Sequence, residues 1–303
     1  METIVKILLF GKSGQVGWEL QRALMPLGEV IALDAQDKKY CGDFNKPHSI
    51  SETVRTLRPD VIVNAAAYTA VDKAETEKKY AQLINADSVE AIANVAEELG
   101  SWVVHYSTDY VFPGTGELPW KETDRPEPLN IYGETKLAGE KLLQRSCSKH
   151  LIFRTSWVYS SRGNNFAKTM LRLAKDREEL SVINDQYGAP TSAELLADCT
   201  AHAIRTIENR ASLAGLYHLV ASGTTTWYDY ANLIFDEARR LGIELKIKKV
   251  NSIPTSSYIT PACRPRNSRL DASKFQRDFN LVLPHWDYGV KRMLSEIRAT
   301  TYI

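Results

Sequence analysis

A tyrosine and a lysine four residues apart carry the strongest chemical signal in this 303-residue sequence. Tyr132 and Lys136 lie in segment 130–136, which has the pattern of a helix start. Because residues four apart share one face of a helix, the Lys136 ammonium can approach the Tyr132 phenol. A free phenol titrates near pH ~10, and a neighbouring cation lowers that pKa by favouring the phenolate. The pair therefore predicts a tyrosine that can donate or accept a proton near neutral pH.

A threonine upstream completes a set of residues suited to carbonyl chemistry. Thr108 follows the predicted strand Trp102–Tyr106, and ligands bind at the carboxyl ends of strands in open α/β sheets. Its hydroxyl can donate a hydrogen bond to a carbonyl oxygen, which gains negative charge when hydride reaches the carbon. A Tyr-x-x-x-Lys pair alone also arises by chance. Together with an N-terminal glycine turn, Thr108, Tyr132 and Lys136 predict a catalytic triad for nicotinamide-dependent carbonyl chemistry.

Three glycines with the spacing G-x-x-G-x-x-G form the predicted cofactor turn. Gly11, Gly14 and Gly17 lie between the predicted strand Ile4–Phe10 and the predicted helix Gly14–Met25. Glycine permits a tight turn and lets backbone amides at the helix N-terminus reach a pyrophosphate. The spacing differs from the commoner G-x-G-x-x-G pattern, but the order of strand, turn and helix favours a dinucleotide site.

Asp34 ends the second predicted strand, about 20 residues past the glycines, where a carboxylate binds the adenosine ribose. That carboxylate would repel a 2′-phosphate and so favours NADH, whereas Lys38 and Lys39 lie close enough to offset the repulsion. NADPH and NADH both remain open as the cofactor. Ala66 and Ala67 follow another predicted strand, where small side chains suit either close cofactor approach or ordinary core packing.

Alternating apolar strands and helices must position these residues. The predicted elements are Ile4–Phe10, Gly14–Met25, Val30–Leu33, His48–Leu57, Val61–Val63, Ala81–Leu99, Trp102–Tyr106, Asn130–Gln144, Leu151–Phe153, Ser181–Ile183, Ser192–Ile207, Leu216–Val220 and Trp227–Leu241. This order predicts an α/β, Rossmann-type, doubly wound parallel sheet. Because the alternation weakens after Trp157, we expect a dinucleotide-binding domain over residues 1–160, to which parts of the later chain return. A smaller C-terminal α/β substrate-binding lobe is expected over residues 161–303, with a long loop at Ile253–Arg269.

Composition argues against several other classes of protein. A net charge of +1 gives no reason to expect nucleic acid or an acidic membrane surface as a partner. The four cysteines show no C-x-x-C spacing, which argues against a disulfide framework and a zinc site. The apolar run Ile4–Phe10 is too short to span a bilayer, and no signal-peptide cleavage pattern follows it. We therefore expect a cytoplasmic protein.

These residues resemble the extended short-chain dehydrogenase/reductases and, within them, the branch of reductases that forms dTDP-L-rhamnose. The resemblance covers essentially the whole chain and rests on the glycine turn at Gly11 and on segments 107–112, 132–136, 154–159, 184–191 and 264–271. It implies reduction of the C4 ketone of dTDP-4-dehydro-6-deoxy-L-mannose to dTDP-L-rhamnose, with hydride from NADPH or NADH. It matches Thr108, Tyr132 and Lys136 to the catalytic triad of the family.

The resemblance also implies binding residues. It matches the cofactor contacts of the family to Gly14, Gln15, Val16, Asp34, Asp43, Phe44, Ala67, Tyr68 and Thr69. It matches Asp109 and Trp157 to positions that contact the deoxysugar, and an indole face suits packing against a sugar ring. Arg264, in the long loop, is a candidate partner of the substrate diphosphate. Members of the family form homodimers, some with Mg²⁺ bridged by glutamates at positions that match Glu19 and Glu194.

Two other functions remain open. One is another nucleotide-sugar enzyme on the same fold, such as a 4-epimerase, which would show no net consumption of nicotinamide. A dehydratase would be expected to carry Asp-Glu directly after the catalytic threonine, and Asp109-Tyr110 does not match that pattern. The other alternative is a non-catalytic, cofactor-binding regulatory subunit, against which the intact triad argues.

Overall fold

Strands and helices alternate along the chain, as the sequence predicts. The computed structural model describes residues 5–300, apart from the side chain of Thr300. Within this range the strands are β1 (Val5–Phe10), β2 (Gly28–Leu33), β3 (Val61–Asn64), β4 (Trp102–Thr108), β5 (His150–Thr155), β6 (Val158–Tyr159), β7 (Glu179–Ile183), β8 (Tyr187–Gly188), β9 (Thr191–Ser192), β10 (Gly215–His218), β11 (Thr225–Thr226) and β12 (Lys249–Ile253). The α-helices are α1 (Gln15–Leu24), α2 (Pro47–Leu57), α3 (Val71–Ala74), α4 (Lys78–Gln82), α5 (Ser88–Leu99), α6 (Ile131–Ser146), α7 (Phe166–Asp176), α8 (Ala193–Ile207), α9 (Trp227–Arg240), α10 (Ser273–Phe279) and α11 (Trp286–Thr300).

Six of these strands form one sheet in the order β10-β5-β4-β3-β1-β2. All of its pairings are parallel, so helices must provide the crossovers between strands. The chain runs from β1 outward to β2, then returns to the other side of β1 with β3. This order confirms the α/β, Rossmann-type prediction. It also places the carboxyl ends of all six strands along one edge of the sheet, where ligands bind in open α/β folds.

Helices cover both faces of this sheet. Ile7 and Leu9 of β1 pack into a cluster with α1 and α8, whereas Leu8 and Phe10 pack into a cluster with α2 and α5. All four side chains are fully buried. Strands that are buried on both faces appear in the sequence as continuous apolar runs, which is why they could be predicted.

A second hydrophobic cluster lies in the C-terminal part of the chain. It joins side chains of β7, α7, α9 and α11, among them the buried Phe235 and Leu294. Strands β7 and β12 pair in a separate two-stranded parallel sheet. By contrast, α8 packs into the first core, and β10 forms an edge of the main sheet. The domain boundary at residue 160 stays a prediction.

The predicted helix Ala81–Leu99 is helical throughout but contains a π-helical turn. Residues Leu83–Asp87 form a π-helical turn between α4 and α5. Within this turn the buried Asn85 side chain donates a hydrogen bond to the Thr135 hydroxyl on α6 at 3.1 Å. The backbones come this close because Gly139 has no Cβ, which would overlap the Asn85 carbonyl oxygen. Single π-helical turns often mark functional sites, and this one packs directly against α6.

Other elements differ in extent or were not predicted. Strand β4 continues through Thr108, which pairs with Thr155 of β5, so Thr108 is the last residue of the strand and does not lie beyond it. The sequence also did not predict α7, α10, α11 and β12. The long loop begins only after Ile253, where β12 ends, and contains the short 3₁₀ turn Thr255–Ser257.

Candidate active site

The N-terminus of α6 is held against the end of β4, and this contact brings Tyr132 towards Thr108. Asn130 caps the helix by accepting a hydrogen bond from the Gly133 amide at 2.9 Å, as the sequence predicts. The Glu75 carboxylate accepts a second bond from the Ile131 amide at 2.9 Å. A Cβ on Gly133 would overlap the backbone that follows Thr108. The helix can therefore approach the strand end only because glycine stands at this position.

Thr108 and Tyr132 lie within hydrogen-bonding reach of each other. Burial raises the pKa of Tyr132 to about 12, and the hydrogen bond with the Thr108 hydroxyl opposes that rise. The same threonine hydroxyl donates to Asp109 Oδ1 at 3.1 Å. Burial also raises the pKa of the fully enclosed Asp109 carboxyl to about 6. The strand end thus groups a phenol, a hydroxyl and a carboxyl in one buried site.

Lys136 is close to this group but is directed elsewhere. Its Nζ donates to the Tyr106 carbonyl oxygen at 2.6 Å and contacts His105 Nε2 at 3.2 Å. Burial lowers the pKa of Lys136 to about 8, and the Glu140 carboxylate opposes that change. The predicted lowering of the Tyr132 pKa by Lys136 is therefore not seen in this structure, in which burial dominates the phenol.

The glycine turn has the shape that a dinucleotide requires. Gly11 has a φ of +84°, in the region that favours glycine, and a Cβ on Gly17 would overlap the Gly11 carbonyl oxygen. Among the described residues, no side chain caps the first turn of α1 at Gly14, which leaves its amides able to meet a pyrophosphate. The Gln15 side chain accepts a bond from Asn165 at 3.0 Å. Together these features fit a nicotinamide dinucleotide.

Other predicted cofactor residues lie along the same edge of the sheet. Val16 packs against the core beneath the turn. The Asp34 carboxylate, directly after β2, accepts a hydrogen bond from the Ser13 hydroxyl at 2.9 Å. Nearby, Lys12 forms an ion pair of 2.6 Å with Asp37, and the pKa of Asp37 is lowered by that contact. Lys12 was missed by the sequence argument, although it stands inside the glycine turn where a 2′-phosphate would approach.

Asp43 and Phe44, two of the predicted cofactor contacts, are held in place by packing and by a turn. Phe44 is buried and packs edge-on against Phe10 of β1, with ring centroids 5.4 Å apart. The Asp43 carboxylate accepts from the Asn45 amide at 3.0 Å, which shapes the turn before α2. The structure therefore places both residues beside the end of β1.

The segment after β3 holds the remaining predicted cofactor residues. Ala66 and Ala67 are half-buried, and Thr69 is exposed. The Tyr68 amide donates to Asn85 Oδ1 at 2.8 Å, while its hydroxyl donates to Glu77 at 2.6 Å, and this bond raises the pKa of Tyr68 to about 12. The backbone of this segment is thus fixed by the π-helical turn, a role that sequence patterns did not reveal.

A cleft of about 1130 Å³ lies between the end of β4 and the C-terminal part of the chain. Its wall includes Tyr110, whose ring packs edge-on against Tyr132 with centroids 5.6 Å apart. Trp157 and Trp227 form another part of the wall and stack with centroids 3.5 Å apart. One face of the Trp157 indole is therefore already covered. A sugar would have to contact its edge or its other face.

Trp157 is held in an unusual backbone conformation. Its φ of +51° lies in the left-handed region, which is uncommon for a bulky residue. Gly188 passes directly beside the indole, because a Cβ there would lie 2.7 Å from Trp157 Cε2. Strained backbone of this kind clusters at ligand sites, so the geometry supports the prediction that Trp157 faces substrate.

Arg264 also lines the cleft but is already paired. Its guanidinium donates to Asp72 at 2.8 Å, and the Asp72 carboxylate also accepts from the Ala262 amide at 3.2 Å. The pKa of Asp72 is lowered by the Arg264 contact. A substrate diphosphate would therefore have to share or replace Asp72 as the partner of Arg264.

The two glutamates predicted to bind magnesium do lie near each other. Burial and then the charge of Glu194 raise the pKa of Glu19. Each carboxylate also faces an arginine, with Arg22 at 3.7 Å from Glu19 and Arg292 at 3.3 Å from Glu194. Within residues 5–300, no group of three or more His, Cys, Asp or Glu side chains is arranged to hold a metal ion. Mg²⁺ prefers six oxygen ligands, so this pair alone is an incomplete site.

Comparisons with known proteins agree with this geometry. The family model described as RmlD substrate binding domain matches residues 5–299. The chain is 70% identical over 299 residues to dTDP-4-dehydrorhamnose reductase from Escherichia coli K12, covering 99% of this chain and 100% of that protein. It is equally similar, at 70% over 299 residues with the same coverage, to the reductase of that name from Salmonella typhimurium LT2.

A solved structure shows the same fold. The dTDP-4-dehydrorhamnose reductase from Bacillus anthracis in complex with NADP superposes with a TM-score of 0.87 at 33% identity, covering 97% of this chain and 100% of that one. Among the helices described here, none is long and apolar enough to cross a membrane. The sequence matches and the shared architecture together show that this chain belongs to the dTDP-4-dehydrorhamnose reductase family.

Proposed function

We propose that this chain reduces the C4 ketone of dTDP-4-dehydro-6-deoxy-L-mannose to dTDP-L-rhamnose, with NADPH or NADH as the reductant. The observation that carries the proposal is the grouping of Thr108, Tyr132 and Lys136 at the carboxyl end of β4, beside the glycine turn and the tryptophan-lined cleft. The names of the relatives support the choice of substrate.

Each member of the triad has a distinct part in this proposal. Reduced nicotinamide, when bound, supplies the hydride to the carbonyl carbon. Thr108 donates a hydrogen bond to the carbonyl oxygen as negative charge develops there, which stabilises the transition state more than the ground state. Tyr132 delivers the proton to the same oxygen. Its raised pKa keeps the phenol protonated until that step. Lys136 holds the nicotinamide ribose.

The remaining site residues would bind cofactor and substrate. Gly11, Gly14, Gln15, Val16 and Gly17 would contact the pyrophosphate, and Asp34 the adenosine ribose. Asp43, Phe44, Ala66, Ala67, Tyr68 and Thr69 would line the adenine and nicotinamide sides. Lys12 pairs with Asp37, whose carboxylate accepts from the Asp34 amide, and so would place a cation near a 2′-phosphate. This arrangement supports use of either nicotinamide. Asp109, Trp157 and Arg264 would contact the nucleotide sugar.

We also propose that the chain works as a cytoplasmic homodimer. Glu19 and Glu194 of one chain would need further oxygen ligands from a second chain to bind Mg²⁺. The proximity of the two carboxylates supports this arrangement. Loss of activity with a chelator, restored by Mg²⁺, together with a dimeric mass in solution would agree with it.

Tyr132→Phe tests the proposed reaction. The substrate is made from dTDP-4-dehydro-6-deoxyglucose by the upstream 3,5-epimerase, and reduced nicotinamide is followed with NADPH and NADH in parallel. Loss of the proton donor should lower turnover at least ~100-fold. Tyr288→Phe is the matched control, because Tyr288 is 68% exposed on α11 and lies outside the proposed site.

Three outcomes separate the candidate functions. Consumption that needs both the epimerase and this protein, and that Tyr132→Phe abolishes, establishes the reductase. Conversion of the sugar without net consumption would instead indicate an epimerase. Cofactor binding without turnover of any deoxyketosugar nucleotide would indicate a regulatory subunit. Activity of Tyr132→Phe within a few-fold of the control would remove the tyrosine from the reaction.

A further inference from the structure

A buried line of three polar side chains lies behind the proposed triad. Asn64 ends β3, His105 is its register partner on β4, and Lys136 reaches them from α6. Their side chains are almost inaccessible to solvent, with exposures of 1%, 0% and 2% respectively. Asn64 Nδ2 lies 3.1 Å from His105 Nδ1, and His105 Nε2 lies 3.2 Å from Lys136 Nζ. The proposed reaction assigns no part to Asn64 or His105.

The orientation of the Asn64 amide is determined by its other contact. Asn64 Oδ1 accepts a hydrogen bond from the Ala66 amide at 3.0 Å. The reverse orientation would place two donors against each other at that point. The Asn64 NH₂ group must therefore face His105, so His105 Nδ1 must accept. A neutral imidazole with a bare Nδ1 carries its hydrogen on Nε2.

This tautomer determines which protonation state of Lys136 satisfies the hydrogen bonds of the line. The His105 Nε2–H points at Lys136 Nζ, and an ammonium group has only donors to offer. A neutral amine has a lone pair that accepts from Nε2–H, and it can still donate to the Tyr106 carbonyl oxygen at 2.6 Å. The hydrogen bonds of the whole line are therefore satisfied together only when Lys136 is neutral.

The burial of the line favours uncharged side chains. Burial is the main cause that holds the pKa of His105 well below its usual value, and it therefore favours a neutral imidazole. Burial lowers the pKa of Lys136, and Glu140 on the next turn of α6 opposes this change. The Glu140 carboxylate is itself bonded to Arg154 of β5 at 2.9 and 2.6 Å. The Arg154 guanidinium thus compensates much of the Glu140 charge that acts on Lys136.

We propose that Asn64 and His105 are positioning residues that favour the neutral amine of Lys136 in the free enzyme, so that productive cofactor binding at mildly alkaline pH takes up one proton from solvent. The proton forms a third N–H bond on Lys136 Nζ, and the lysine then leaves the His105 Nε2–H, which is a donor. The inference rests on the proposed function only in assigning Lys136 to the cofactor. The hydrogen-bond argument itself needs no turnover.

The first test is the tautomer of His105 in the free protein. Nitrogen-15 NMR of the imidazole rings from pH 6 to pH 9 distinguishes a protonated from a bare ring nitrogen, and His105→Gln identifies the signal. We expect hydrogen on Nε2 and a bare Nδ1 throughout. Asn64→Asp should reverse the tautomer, because a carboxylate accepts from Nδ1–H. Hydrogen on Nδ1 in the wild-type protein, or on both nitrogens, would overturn the inference.

The second test is the pH dependence of NADPH binding, measured by energy transfer from tryptophan. If binding requires the ammonium, the dissociation constant should rise by about tenfold per pH unit above the pKa of Lys136 in the free enzyme. His105→Gln offers an amide oxygen that accepts from the ammonium. It should move the onset of this rise upward by about 0.5–1 pH unit, the effect of one net hydrogen bond.

His48→Gln is the matched control, because His48 is exposed on α2 away from this line. An onset at the same pH in His105→Gln and in the control would overturn the inference. If His105→Gln does not fold, the wild-type tautomer alone decides. A protein that shows the expected tautomer and binding profile but no sugar reduction would refute the proposed function and leave this inference standing.

Discussion

Replacement of Glu140 by glutamine should destabilise the protein by about 3–5 kcal/mol, because it leaves a buried arginine without its counter-charge. Arg154 donates to Glu140 through Nε at 2.9 Å and through Nη2 at 2.6 Å. The two side chains are only 4% and 1% exposed. Within residues 5–300, Arg154 Nη1 has no hydrogen-bond partner, so the guanidinium has little else to compensate for the loss.

The position of the pair gives this cost a consequence for the site. Glu140 lies one turn after Lys136 on α6, and Arg154 lies on β5 with its guanidinium 5.0 Å from the centre of the Phe112 ring. Glutamine preserves the shape and one acceptor but removes the charge. For a chain of this size each kcal/mol corresponds to roughly 2–4 °C, so the melting temperature should fall by roughly 6–20 °C.

Calorimetric or circular-dichroism melting at neutral pH measures this effect. Glu98→Gln is the control, because Glu98 pairs with Arg55 at 3.1 Å on the surface, where loss of an ion pair has little effect. The double variant Glu140→Leu with Arg154→Met should recover much of the stability, since it removes both buried charges. A melting temperature of Glu140→Gln equal to that of Glu98→Gln would refute the reasoning.

Two further substitutions test the cofactor turn and the buried acid. Gly17→Ala puts a Cβ onto the Gly11 carbonyl oxygen, and overpacking of this kind costs about 1–3 kcal/mol. The NADPH dissociation constant, measured by fluorescence titration, should therefore rise ~5–150-fold. Unchanged binding would contradict the proposed turn. Asp109 has a pKa of about 6 in the folded protein against ~3.9 when unfolded, so its contribution to stability falls by about 3 kcal/mol as pH rises through this window. Asp109→Asn should therefore stabilise the protein more at pH 8 than at pH 4 in urea unfolding, whereas an equal effect at both pH values would contradict the assigned pKa.

The sheet, and the grouping of Thr108, Tyr132 and Lys136 at its edge, could be predicted because their signals are local. Tyr132 and Lys136 are one helical turn apart, and their shared helix face follows from spacing alone. Thr108 could be predicted because an apolar strand runs directly into it. The alternation of such strands with helices leaves few topologies other than a doubly wound sheet.

The contacts made by other residues of the candidate site could not be predicted, because they join segments that are distant in the sequence. Arg264 pairs with Asp72 across 192 positions of sequence. Trp157 stacks on Trp227, which α9 brings back from the C-terminal part of the chain. A histidine within an apolar strand was the one available signal for His105, but its contact with Lys136 depends on how α6 packs against β4.

The proposed state of Lys136 bears on how a tyrosine with a pKa of about 12 would serve as the proposed proton donor. A phenol with such a pKa stays protonated at neutral pH, but it would give up its proton slowly. A cation beside it lowers that pKa. In this structure Lys136 Nζ is directed at His105 and the Tyr106 carbonyl oxygen, and burial dominates the pKa of Tyr132. If cofactor binding favours the ammonium and frees it from His105, the tyrosine is activated most in the complex that is ready to transfer hydride. The Tyr132 phenol then stays protonated in the free enzyme, and the cofactor should bind before the sugar.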